Sequence, residues 1–438
     1  MTAPLAQRIF SRAAGRPVAP GDLIEAVPDR TFTIDDTIGL ILAYLERHGV
    51  DKLHDPDKIG LFYDHYAPAN TAANAGDHAR GREFVKRAGI SRFYDVGQGI
   101  SHQVAVDKGL VRPGEIALNT DSHTTTLGGV GCAGIGVGAA EMAYVWATGK
   151  LWFRVPETVG VELRGSLRED VDAKDVMLHL LGRLGPAGAA YAAIEFFGSG
   201  VASLPVAARM TLANMGADLG AKLAVVPADV VTVAHFRTLG IAIEAAAPSS
   251  PKNFARVHEV DLSALAPQVR APEPELGTLP AESASEVPIH QAFIGSCTNG
   301  RLEDLRAAAR IFAGRKVAPG VRAIVTPASR DVYLRASAEG VLAVLLEAGC
   351  VVTTPGCGPC AGLHMGLLAA DETCISSSSR NFPGRMGSAE ARIFLASPAT
   401  VAASAVAGRI VDPRTLPPKD ADGVKTTYRN ELTSGGKK

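Results

Sequence analysis

Cys357-Gly-Pro-Cys360 places two thiols two residues apart, directly after the β-branched run Val351-Val-Thr-Thr-Pro-Gly356. Such a pair can share a metal or each other. The stretch reads as a strand, a turn and the start of a helix, where backbone N–H groups and the helix dipole lower a thiol's pKa. Phe293-Ile-Gly-Ser-Cys297-Thr-Asn-Gly300 repeats the plan, with Cys297 in a small-residue turn before the helix-forming run Leu302-Glu-Asp-Leu-Arg-Ala-Ala-Ala309. Two such units suggest one site with three sulfur ligands. Three thiolates are too few to close a four-ligand structural zinc site. On a 4Fe–4S cluster they leave one iron open to water or substrate, as a Lewis acid on a hydroxyl or carboxylate.

A second set of residues suits proton transfer. Asp64-His65, His102, Asp121-Ser122-His123 and Glu195 can form carboxylate–imidazole pairs, the usual positioned acids and bases. Arg380 and Arg385 lie in a Gly/Pro/Ser-rich loop and suit bidentate binding of substrate carboxylates. Taken singly, each has a plainer reading as a hydrogen-bonded histidine or a solvated arginine. Cys132, Cys350 and Cys374 read as buried apolar thiols.

These groups need elements to hold them. Ile59-Gly-Leu-Phe-Tyr63 reads as a buried strand ending in Asp64-His65, and Glu115-Ile-Ala-Leu-Asn119 as one ending in Thr120-Asp121. Strand ends are where a parallel α/β sheet presents its site residues. Thr33 to His48 is expected as a helix with Ile38, Ile41, Leu42 and Leu45 on one face, His78 to Ala88 and Ala173 to Leu184 as two more. Gly128-Gly-Val-Gly-Cys-Ala-Gly-Ile-Gly-Val-Gly138 resembles a nucleotide-binding loop. No acidic residue follows at the required distance in the required context, so close backbone packing is the better reading.

Composition bounds the rest. A chain of 438 residues holds about three domains. Its 47% hydrophobic content, 46 glycines and 5% aromatics fit a layered α/β protein. A formal net charge of −1 argues against nucleic-acid or membrane-surface partners. No apolar stretch is long enough to span a bilayer, no signal peptide opens the chain, and six cysteines make no disulfide framework. A cytoplasmic protein is expected. The Pro/Glu/Ser-rich stretch before Pro288 reads as a linker. The organisation expected is a first α/β domain over 1–160, a second over 161–265, a linker over 266–288 and a third domain with the cysteines over 289–438. A site using both sets of residues then lies in a cleft between domains.

Four ordered motifs carry a resemblance: Asp121-Ser-His-Thr124, Ile294-Gly-Ser-Cys-Thr-Asn299, Pro355-Gly-Cys-Gly-Pro-Cys360 and Arg380-Asn-Phe-Pro-Gly-Arg385. Together they resemble the aconitase superfamily and, within it, the large subunits of 3-isopropylmalate dehydratases and their homoaconitase-like relatives. The similarity runs from about Ile9 to Pro413. It implies three α/β domains around a 4Fe–4S cluster, with the mobile fourth domain absent from this chain and supplied by a separate small subunit, hence a hetero-oligomer. It implies Cys297, Cys357 and Cys360 as cluster ligands and Asp64–His65 as the pair handling the departing hydroxyl. Asp121 is then partnered with His102, and Glu195 with His123. Ser122 lies in the substrate pocket, and Arg380 and Arg385 bind carboxylate. The serine base and another arginine belong to the fourth domain, so the large subunit alone is expected to be inactive.

The implied reaction is a reversible dehydration and rehydration of a small hydroxy acid, with isopropylmalate foremost. Homoaconitate, 2,3-dimethylmalate, citraconate and maleate stay open. Two departures bear on this choice: Ile34 precedes Asp35-Asp-Thr37 where relatives usually have His or Gln, and Ser379 stands where they commonly have Asn. Two rivals remain, a dithiol–disulfide oxidoreductase using Cys357–Cys360 and a non-catalytic homologue that binds a cluster or RNA. A dithiol enzyme has no need of Cys297.

Overall fold

The computed structural model describes residues 2–273 and 275–417. Among the described residues three large sheets carry the chain, beside an antiparallel pair of Leu23–Ala26 with Leu151–Arg154. The first has five parallel strands in the order Arg92–Tyr94, Ile59–Phe62, Arg30–Ile34, Ile116–Asn119, Ala133–Gly136. Ile59–Phe62 and Ile116–Asn119 are buried throughout, as strands covered on both faces must be. Chain order reverses between Arg30–Ile34 and Ile116–Asn119. The carboxyl ends of these strands therefore open a crevice, into which Asp35, Asp64-His65 and Asp121 emerge.

The second sheet has four parallel strands, ordered Leu223–Val225, Ala193–Phe197, Thr158–Arg164, Arg256–Asp261. The third has seven, ordered Thr278–Pro280, Gln268–Arg270, Arg392–Ala396, Thr373–Ser376, Gln291–Ile294, Arg322–Val325, Val351–Val352. Its five later strands are parallel. Cys297 follows Gln291–Ile294, the arginine loop follows Thr373–Ser376, and the Cys357–Cys360 turn follows Val351–Val352. All three leave the carboxyl ends of the parallel strands, the first two on either side of a second reversal of strand order and the third from the outermost strand.

The stretch expected as a linker does not run free. Gln268–Arg270 and Thr278–Pro280 pair antiparallel with each other, and Gln268–Arg270 pairs with Arg392–Ala396. Val269 is wholly buried, and Gln268 N–H donates to buried Asp175. The Pro/Glu/Ser composition hid a strand whose stability comes from sheet pairing rather than from its own propensity. Residues 418–438 of the expected third domain lie outside the described residues.

Helix Asp35–Arg47 buries Ile38, Ile41 and Leu45, as its periodicity implies, while Ala173–Leu184 has the bounds expected. The helix expected from His78 starts earlier, at Ala72, because the Thr71 side chain caps Asn74 N–H. The cysteine turn holds no helix, only the 3-10 turn Gly358–Ala361. Gly358, Gly362 and Met365 all adopt positive φ there, which no helix accommodates. The glycine-rich run proves to be a packing device: a Cβ on Gly128 would overlap the Ala224 carbonyl oxygen, and one on Gly134 the Thr124 carbonyl oxygen.

Candidate active site

A cavity of about 330 Å³ lies where the two crevices face each other. His65, Asp121, Ser122 and His123 line it from the first sheet, Cys297, Cys357, Cys360, Arg380 and Arg385 from the third. Ile34, Ile100, Ala361 and Leu363 make up its apolar part.

On the first sheet's side, Asp35 sets the backbone. Its Oδ1 accepts from His65 N–H at 2.9 Å and Asp64 N–H at 3.3 Å, and its Oδ2 from Tyr66 N–H at 2.8 Å. His78 Nε2 lies 3.1 Å from the same Oδ2. Asp35, Asp64 and His65 have ligand atoms within 4.8 Å of one another. Hydrogen bonds already occupy both Asp35 oxygens, so the trio is a positioning network rather than an ion site.

Asp64 is fully buried. Its Oδ1 lies 2.8 Å from His65 Nδ1, and its Oδ2 accepts from Ser101 N–H at 2.7 Å. Burial lifts this carboxyl to about 6, against the pull of His65. Burial also opposes charge on His65, but Asp64, through charge and hydrogen bond, and then Asp121, hold the imidazole well above its ordinary value. The two form an ion pair at neutral pH. The other ring nitrogen of His65 is 3.6 Å from Asp121 Oδ2.

Asp121 is a hub. Burial would raise its pKa, yet His102, His65 and His123 together hold it well below the usual carboxylate range. Its Oδ1 accepts from His123 N–H at 2.6 Å. His102 is lowered by burial to about 4 and is therefore neutral. Its buried Nε2 has no hydrogen-bond partner among the described residues.

Glu195 is not in the cavity. It sits mid-strand in Ala193–Phe197, and its Oε2 accepts from Leu5 N–H at 2.8 Å, at the start of helix Leu5–Ala14. A side chain in the middle of a strand leaves by the sheet face, not by the strand end, which is why the cavity is out of its reach. His123 instead has Asp218 Oδ2 at 3.6 Å and Ser379 Oγ at 2.9 Å from its Nε2. Asp218 also accepts from Arg380 Nε at 3.2 Å. Glu195→Gln is expected to leave kcat and KM within about twofold and to lower stability by about 1 kcal/mol, measured by thermal melt and steady-state assay. A loss of rate at unchanged stability would return Glu195 to the reacting groups.

The three thiols are buried and free. Cys357 donates to Cys360, and this hydrogen bond and the Arg385 guanidinium hold Cys360 well below the usual thiol range. The helix dipole expected at this turn plays no part. Burial pushes the Cys297 thiol up instead. Arg385 Nη2 lies 3.7 Å from Cys360 Sγ, and Asn214 Nδ2 donates to Cys297 Sγ at 3.1 Å. Among the described residues the three sulfurs do not gather within 4.8 Å as the Asp35 trio does. Two of them carry N–H donors aimed at sulfur, Arg385 on Cys360 and Asn214 on Cys297, as the sulfur ligands of a metal group do.

Other supports come from tertiary contact. Arg301, fully buried, donates to the Cys297 carbonyl at 2.5 Å, the Thr298 carbonyl at 2.6 Å and Gln103 Oε1 at 3.0 Å, fixing the first thiol turn. Lys174, also buried, donates to the Ser377 carbonyl at 3.0 Å and to that of Ser378, setting the run that presents Ser379 and Arg380. Periodicity and motif spacing are silent on Asn214, Asp218, Arg301 and Lys174. The signal for Asn214 and Asp218 is faint: one ends helix Val206–Asn214, and the other lies in the turn just beyond.

The profile of the aconitase family (aconitate hydratase) matches residues 24–278 and 273–408. The chain belongs to the aconitase family. It is accordingly a hydro-lyase. Among relatives of this aconitase-family chain, 3-isopropylmalate dehydratase large subunit 1 of Methanopyrus kandleri is 46% identical over 414 residues, covering 94% of this chain and 98% of its own. The 3-isopropylmalate dehydratase large subunit of Aquifex aeolicus is 42% identical over 416 residues, 93% of this chain and 96% of its own. A probable methanogen homoaconitase large subunit of Methanothermobacter thermautotrophicus is 40% identical over 416 residues, 94% and 97%. Among the described residues no helix is long and apolar enough to cross a membrane.

Proposed function

We propose that this chain is the large, catalytic subunit of a 4Fe–4S hydro-lyase that interconverts 3- and 2-isopropylmalate by dehydration and rehydration. It acts in the reducing cytoplasm, with a small subunit that brings the serine base. The observation that carries the reading is the convergence in one cavity of three buried thiols, two arginines, His65 and Asp121, with Asp64 bonded to His65 from behind. The names of the relatives support the substrate and the division into large and small subunits. The apolar wall of Ile34, Ile100 and Leu363 favours an alkyl-bearing acid over homoaconitate.

Cys297, Cys357 and Cys360 would hold the cluster. When bound, it supplies a Lewis-acidic iron for the substrate hydroxyl and carboxylate. Arg380 and Arg385 pair with substrate carboxylates and orient the carbon skeleton. His65, kept as imidazolium by Asp64, gives its Nε2 proton to the departing hydroxyl as water forms. Asp121 steadies that imidazolium from the other side, and stays ionised because three imidazoles surround it. His102, neutral and fully buried, lies outside the cavity lining. Ser122 at the rim offers a hydroxyl to a carboxylate oxygen.

The test is anaerobic reconstitution with the matching small subunit, then turnover of 3-isopropylmalate against homoaconitate. Roughly four irons per chain and at least a tenfold preference in kcat/KM for isopropylmalate are expected. The reverse preference would move the assignment to homoaconitate, and a chain that takes up no iron would overturn the reading.

A further inference from the structure

We infer that His364 is a positioning residue for His65, a hydrogen-bonded strut that reaches from the thiol turn to the group proposed as the acid. His364 Nε2 lies 2.8 Å from the His65 carbonyl oxygen. A carbonyl can only accept, so Nε2 carries the proton. Two further hydrogen bonds run alongside: Cys357 N–H donates to the Asp64 carbonyl at 2.8 Å, and Asn70 Nδ2 to the Leu363 carbonyl at 2.8 Å. Gly356 permits the close approach, because a Cβ there would lie 3.0 Å from the Asp64 carbonyl oxygen.

The His65 backbone is thus held from two sides. Asp35, on its own sheet, takes the N–H groups of Asp64, His65 and Tyr66. The thiol turn, from the third sheet, supplies the donors to the Asp64 and His65 carbonyls. The peptide that carries the imidazole is therefore fixed relative to Cys357 and Cys360 by direct bonds, without passing through the packing of whole sheets. Those bonds matter because, among the described residues, the ring itself has a hydrogen bond on only one side, at 2.8 Å to Asp64, while Asp121 stands off at 3.6 Å. Releasing the His65 carbonyl frees that peptide to rotate and swings Nε2 across the cavity. A misplacement of about 1 Å in a reacting group costs on the order of 10²-fold in rate.

This inference rests on the reading of His65 as the acid, and its test separates the two. The expected result for His364→Ala in the reconstituted two-subunit enzyme is a fall in kcat of about tenfold or more. KM is expected to move less than about twofold, because the arginines are untouched. His364→Gln, whose amide N–H reaches the same carbonyl, restores most of kcat. A second readout needs no turnover: in the chain alone, labelled with 15N-histidine, the His65 ring signal, assigned with His65→Asn, broadens in His364→Ala and recovers in His364→Gln. Unchanged kcat and ring signal in His364→Ala would overturn the inference. So would a loss of kcat together with iron that glutamine does not restore, since that marks a support for the cysteine turn only. If His65→Asn itself keeps full kcat while the ring signal still responds to His364, the role of His65 fails and the strut stands.

Discussion

Cys297→Ser is expected to strip the iron from the reconstituted chain and to lower turnover by more than about 100-fold, beyond the 10–100-fold typical of residues that merely support a metal. Cys297 is buried, and the substitution removes little volume, so the fold should survive as judged by far-ultraviolet circular dichroism and thermal melt. What changes is the donor. A serine hydroxyl is a far poorer soft ligand than a thiolate, and Asn214 Nδ2, now 3.1 Å from Cys297 Sγ, would face a group that cannot carry the same charge. Cys357 and Cys360 remain as a pair and cannot by themselves replace a third corner. Iron and sulfide analysis with the visible spectrum checks this. The opposite outcome is equally informative. A chain that stays iron-free in parent and variant alike, with a titratable Cys357–Cys360 dithiol indifferent to Cys297, would establish the oxidoreductase rival.

His65→Asn is expected to lower kcat by 10²–10⁴-fold, roughly the worth of one positioned proton donor, with iron content unchanged. Asp64 is buried and depends on His65 for its counter-charge, so some loss of stability accompanies the change and is read separately by melting. The pH profile adds a sign. Because Asp64 and Asp121 hold His65 above its ordinary value, the proton needed for catalysis is present through neutrality and is lost only as pH rises through that raised pKa. The parent enzyme should therefore lose kcat on the alkaline side, and that limb should vanish in the variant. A parent limb on the acid side alone, or a kcat unaffected by the substitution, would remove His65 from the role.

Sequence alone determined the features that are local. A β-branched run followed by a small-residue turn specifies a strand end, and a strand end in a parallel sheet points into a crevice. Asp64-His65, Asp121-Ser122-His123, Cys297, the Cys357–Cys360 pair and Arg380 and Arg385 were therefore legible as site residues before any packing was known, and the structure brings them to one cavity or directly behind it. Tertiary structure decided the partners. His123 is served by Asp218 rather than Glu195, because a carboxylate in mid-strand leaves by the sheet face and is taken by the Leu5 N–H. Arg301, Lys174, Asn214 and His364 carry no period or spacing that marks them. Lys174, Asn214 and His364 each act across a long sequence separation by a hydrogen bond to a carbonyl or a sulfur, and only the meeting of separate sheets creates that partner, while Arg301 binds the Cys297 carbonyl from four residues away and is anchored from afar by Gln103. The strands at Gln268–Arg270 and Thr278–Pro280 escape notice for the same reason: their stability lies in the neighbour they pair with, not in their own residues.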